Sequence, residues 1–129
     1  NNQRHEELRE RIGNAAYEGR MAARKHGISV LLVSATARTN YALFAGEGAK
    51  LGAGDPARFL GTGKESGEVE YAADGVLALC REQWPKGAPP PPVYLAVAKA
   101  RAGLGPNHGW VSYSFDGTTF EEQVREINL

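Results

Sequence analysis

Residues 27–34 read Gly27-Ile-Ser-Val-Leu-Leu-Val-Ser34, an apolar, β-branched-rich run without polar alternation. The run predicts a strand over 28–35 buried on both faces, because a strand with one wet face alternates with a period of two. Upstream, Leu8, Ile12, Ala15, Ala16, Gly19, Ala22 and Ala23 recur at three- and four-residue spacing, while Glu6, Glu7, Glu10, Arg11, Arg20 and Lys25 fill the other face. That spacing predicts an amphipathic helix over 4–26. Its stripe of small residues suits close approach to a flat sheet, and Gly27 stands where a left-handed helix stop belongs. Helix, glycine and buried strand in this order is the rhythm of an α/β fold with a partly parallel sheet.

Downstream the pattern changes. Residues 36–67 show no period and hold seven of the sixteen glycines (46, 48, 52, 54, 61, 63 and 67), which predicts a long Gly-rich loop with one short helical turn at 56–60. Val76-Leu-Ala-Leu-Cys80 predicts a second buried strand, within 75–81, and Gln83 to Pro92 an exposed polyproline connection. Val93, Leu95 and Val97 alternate, as do Val111, Tyr113 and Phe115, so 93–116 is expected to form a C-terminal hairpin across the turn-rich 103–109. Asp116-Gly117 marks a further turn, and Phe120 to Ile127 a short terminal strand or helix.

A chain of 129 residues has room for one domain, 1–129, and no more. Fifteen basic residues balance fifteen acidic ones, which excludes a uniformly basic nucleic-acid coat or a polybasic membrane binder. The single cysteine, Cys80, excludes a disulfide scaffold and fits a reducing, cytoplasmic setting. Apolar runs such as 28–33 fall far short of the ~20 residues that a membrane helix needs, so no membrane partner is expected. The chain opens at Asn1 directly on a charged helix, which is the expectation for a piece of something longer.

Among candidate chemistries, the phosphate loop fails on spacing: Gly63-Lys64 is followed by Glu65, and Arg58 occupies the place of the leading glycine. Gly46/Gly48/Gly52 and Gly61/Gly63/Gly67 each have one residue too many for a dinucleotide fingerprint. His5, His26 and His108 have no carboxylate at ligand spacing, so no metal site is expected, and Cys80 inside an apolar strand reads as inert packing. Two basic stretches remain. Residues 38–64 carry Arg38, Lys50, Arg58 and Lys64 against Glu47 and Asp55, on a glycine-rich backbone whose amides can approach an anion. Lys99 and Arg101, two apart in a strand, leave from the same face and can converge on one phosphate.

At these residues the chain resembles a known family. Lys64-Glu-Ser-Gly-Glu-Val-Glu-Tyr-Ala-Ala-Asp74, an apolar strand ending in Arg81-Glu82, then Lys99-x-Arg101-x-Gly103 and Val111-Ser-Tyr-Ser-Phe-Asp-Gly117 are similar to the C-terminal half of a DnaB-type replicative helicase. That family is a hexameric, RecA-like ATPase. Ser34-Ala-Thr-Ala-Arg38 is similar to the family's S-Q-x-x-R, with Ala35 in place of the Gln that senses nucleotide. The resemblance implies a homo-oligomer that takes single-stranded DNA as its partner, with ATP and Mg2+ held mainly by the family's N-terminal half and the neighbouring subunit. It implies that Lys99 and Arg101 contact nucleotide across the subunit interface, Arg101 as the arginine finger, and that Lys64, Glu65, Gly67 and Arg38 face single-stranded DNA. Lys64 stands where the family has Arg, which keeps the charge and loses the bidentate fork. Walker A and Walker B are absent from 1–129, so the chain by itself is expected to hydrolyse no ATP. The alternatives are another RecA-type ATPase, RadA-like, KaiC-like or RepA-like, or a non-catalytic module that docks on an ATPase ring.

Overall fold

Helix α1 spans Asn2–His26 and stops as its sequence dictates: Gly27 turns left-handed at φ +61°, and the Ile28 N–H bonds back to the Ala23 carbonyl at 3.2 Å. The computed structural model to which these elements belong describes residues 2–63, 66–101 and 109–123. The small-residue stripe of α1 does not lie on a sheet. Its buried residues are Gly13 and Ala16, and α1 packs instead on a second helix, α3 (Ser66–Ala72), with Gly13 set directly against the Glu68 side chain. Two helices approach this closely only where one lacks a bulky side chain, which is the use made of Gly13.

The strand expected over 28–35 is not formed. The backbone there joins no ladder, and Leu31 and Val33 are 85% and 93% exposed. A run apolar on both faces needs sheet neighbours on both edges and cover above and below. The run joins none of the sheet's ladders, which are all made further along the chain, and the outer edge of β1 (residues 75–81) stays unpaired among the described residues.

The segment read as a structureless loop, 36–67, holds much of the packing. It carries a 3-10 turn at Arg38–Asn40, the short helix α2 (Tyr41–Phe44), the expected turn at Pro56–Phe59, and the start of α3. Asp55 caps the 56–59 turn by accepting the Ala57 N–H at 2.9 Å, with Pro56 at its first position. Leu51 and Phe59 are the largest fully buried side chains described. Phe59 sits edge-on between the rings of Phe44 and Trp110, at 4.9 and 5.7 Å between centroids.

Beneath them lies a sheet of four strands, β1 (Gly75–Arg81), β2 (Val93–Ala100), β3 (Trp110–Phe115) and β4 (Phe120–Glu122), in the order β1-β2-β3-β4. The strand at 75–81 and the two paired strands of the expected hairpin fall where the sequence places them, and the turn expected at 103–109 lies outside the described residues except for Gly109. The sheet of the described residues is antiparallel throughout, which corrects the partly parallel sheet expected from the helix–strand rhythm. The reason is the connection: β1 returns to β2 through the Trp84–Ala88 turn and four prolines, whereas a parallel return needs a crossover of a dozen or more residues, usually a helix. One face is built of Ala78, Cys80, Ala96 and Ala98, small enough for Leu51 and Phe59 to pack close. Leu77 and Leu79, on the other face of β1, are exposed, so the strand expected to be buried at 75–81 is covered on one face only, the face that Leu51 and Phe59 pack against. The fold is thus a mixed helix and sheet structure with its core between one sheet face and residues 43–59.

Candidate functional site

The sequence places two cations near the end of β2, and the sheet register decides where they go. Leu77 pairs with Val97 but Val76 pairs with Lys99, so β2 carries an extra residue at Ala98. A bulge of this kind re-aims the side chains beyond it. Gly75 then falls opposite Ala100, and the Arg101 N–H bonds to the Asp74 carbonyl at 2.9 Å, setting Arg101 beside Asp74.

Both side chains reach the carboxyl end of α3. Lys99 Nζ donates to the main-chain oxygens of Glu70 and Tyr71, at 2.8 and 3.3 Å. Arg101 Nη2 donates to the Tyr71 oxygen at 3.0 Å, and Nη1 pairs with Asp74 Oδ1 at 3.1 Å. The last turn of α3 has no basic residue of its own, and its carbonyls lack partners within the helix, so cations from β2 supply the charge that this end attracts. Lys99 and Arg101, the latter just beyond the end of β2, thus meet at the Tyr71 oxygen. Between them they engage three oxygens of the chain, two neutral main-chain carbonyls and one carboxylate, and the Tyr71 oxygen is the one they share.

The residues expected to face DNA are less closely gathered. Lys64 and Glu65 lie outside the described residues. Arg38 is exposed on the 38–40 turn, and Gly67 is exposed in the first turn of α3. The structure does bring their segments together: Thr36 bridges Gly63, the Ala37 N–H meets the Thr62 oxygen at 3.0 Å, and Asn40 Nδ2 meets the same oxygen at 3.3 Å. The stretch that leads into α3 is therefore held against the stretch that carries Arg38.

Arg58, read with the basic loop, holds the loop together instead. Its two terminal nitrogens donate to the Ala53 and Lys50 oxygens at 2.7 and 2.8 Å, and its guanidinium lies 4.9 Å from the Trp110 ring centre. Gly54 makes this possible, since at φ +76° a Cβ would stand 2.9 Å from Arg58 Nη1. Cys80 is buried in β1 with its thiol against the Tyr94 carbonyl, and burial, partly offset by the Arg58 charge, pushes the thiol up to about 11. It is protonated and unreactive at neutral pH. Among the described residues no group of three or more His, Cys, Asp and Glu side chains is placed to hold a metal, and no helix is long and apolar enough to cross a membrane.

Sequence reasoning did not find Asp74 or the carbonyls of Glu70 and Tyr71 as partners of the cationic pair. Asp74 was visible as the acidic residue that directly precedes β1, but pairing it with Arg101 requires the bulge, which leaves no signature in an Ala-Lys-Ala run. Comparisons with protein-family models, with curated proteins and with solved structures find no match to this chain.

Proposed function

We propose that the chain is the C-terminal half of a DnaB-like, RecA-type ATPase that works on single-stranded DNA, with Lys99 and Arg101 as the cationic pair presented to nucleotide on a neighbouring subunit. One observation carries this reading: two cations brought to one place by the end of β2, each already collecting oxygen acceptors at 2.8–3.3 Å. A guanidinium and an ammonium so arranged suit the γ-phosphate of ATP, where negative charge grows as the phosphoryl group transfers. The resemblance assigns ATP and Mg2+ mainly to the family's N-terminal half and the neighbouring subunit. ATP with Mg2+ supplies the phosphoryl group; Arg101 steadies its charge and Lys99 orients it. The exposed apolar run 28–33 and the outer edge of β1, unpaired among the described residues, support the view that further protein completes the sheet.

The test is a mixing experiment on the assembled protein. Arg101→Ala is expected to leave ATP binding nearly intact and to lower turnover by on the order of 10³. Mixed with a phosphate-loop variant, it should regain part of the activity, because some interfaces then pair an intact loop with an intact Arg101. Mixed oligomers that form and stay inactive, together with full activity in Arg101→Lys, would refute the reading.

A further inference from the structure

Asp74 stands in an unusual relation to Arg101. The main chains of the two residues are bonded, so the carboxylate is anchored beside the guanidinium. Yet the side-chain contact is slight: one oxygen, Oδ1, meets one nitrogen, Nη1, and Asp74 and Arg101 side chains are 74% and 37% exposed. An ion pair this wet holds little energy, so breaking it costs the fold little. The second contact of Arg101, through Nη2 to the Tyr71 oxygen at 3.0 Å, does not involve Asp74. Lys99 is likewise fixed on Glu70 and Tyr71 without it.

Resting on the function proposed for Arg101, we propose that Asp74 is a positioning residue for that side chain. Its carboxylate occupies the guanidinium when no phosphate is near and is exchanged for phosphoryl oxygen when one arrives. The physical basis is competition. A guanidinium has a limited set of N–H groups, and an anchored carboxylate is an intramolecular rival for them. A polyphosphate carries more charge and more acceptor oxygens than one carboxylate, so it wins at sufficient concentration. Tyr71 serves as the pivot, keeping the guanidinium at the end of α3 while its Asp74 contact changes hands. The bulge at Ala98 is what makes the rivalry possible, because it sets Asp74 rather than a neighbouring residue opposite Arg101.

The experiment uses the chain of residues 1–129 titrated with sodium tripolyphosphate, followed by nuclear magnetic resonance at the Arg101 guanidinium and by calorimetry. Asp74→Asn, which removes the competing charge, is expected to bind about two- to fivefold tighter than wild type. Asp74→Glu should bind as wild type, and the gain should vanish in Asp74→Asn/Arg101→Ala. Unchanged or weaker binding by Asp74→Asn overturns the proposal, since a carboxylate that merely supports the structure would lower thermal stability without raising anion affinity. If the amide variant does not fold, Asp74→Ser repeats the test with the same expected direction. Arg101→Ala alone reports on the underlying function: unaltered tripolyphosphate affinity there would remove Arg101 from the site, whatever Asp74→Asn does.

Discussion

The carboxylate of Glu70 accepts the main-chain N–H of Gly61 through both oxygens, at 2.9 and 2.7 Å. The main-chain oxygen of the same residue accepts Lys99 Nζ, so one residue of α3 ties the 61–63 stretch on one side to the cationic pair on the other. Glu70→Gln keeps the shape and loses the charge. Because the contact is exposed, the expected loss of stability is about 1 kcal/mol. Hydrogen exchange should show the Gly61 amide opening several-fold faster while the β2 amides keep their rates; equal acceleration across the sheet would mean that Glu70 supports the whole fold.

Arg58 is expected to matter for stability and not for anions. Arg58→Ala removes two hydrogen bonds to carbonyls and the cover over Trp110, which should cost about 2 kcal/mol in urea unfolding. Arg58→Lys restores the charge without the fork, and recovery of less than half of that loss is expected. Full rescue by lysine would show that charge alone is what the site needs.

Cys80 supplies a pH dependence whose sign is fixed. Its thiol rises from 9.0 to about 11 on folding, so the native state keeps a proton that the unfolded chain gives up. The contribution is complete below pH 9 and is lost as pH rises toward 11, at no more than about 1.4 kcal/mol per pH unit. Stability curves of wild type and Cys80→Ala, measured from pH 7 to 11, should therefore converge or cross above pH 9. Parallel curves would contradict the burial of the thiol, as would its rapid modification by a thiol reagent at pH 8.

Val33 offers a sharp contrast between the sequence and the fold. A strand buried on both faces would lose several kcal/mol on receiving a charge there. With Val33 93% exposed, Val33→Lys in the isolated chain should unfold within about 0.5 kcal/mol of wild type. In an assembly that covers the 28–33 run, the same substitution should weaken assembly, a difference that sedimentation of the two forms will show.

Arg38 and Lys64 test the nucleic-acid part of the proposed function. Either residue changed to Ala should weaken single-stranded DNA binding about equally on all sequences and flatten the salt slope by about one unit, as loss of one phosphate contact does. An unchanged slope in both variants would leave the 36–67 segment with a packing role only.

Local physics was legible in the sequence wherever local physics decides. The stop of α1 at Gly27 follows from a residue that alone adopts φ > 0 without strain, and the turn at Pro56–Phe59 from a proline behind an aspartate cap. The 75–81 strand and the 93–116 hairpin follow from apolar runs and alternation that a strand sorts onto two faces. Other features are set by partners distant in the chain, and no window of sequence contains them. The Gly-rich segment 36–67 lacks a period because its glycines turn the chain, yet Leu51 and Phe59 within it bury themselves on the alanines of β1 and β2, a choice made by the sheet face and not by the segment. The run 28–33 has the composition of an inner strand, but a strand exists only where its hydrogen bonds are shared with a neighbour, and no ladder of the described residues includes it. The destination of Arg101 was settled by one extra residue in β2, which shifts the pairing and brings Asp74 and the end of α3 within its reach.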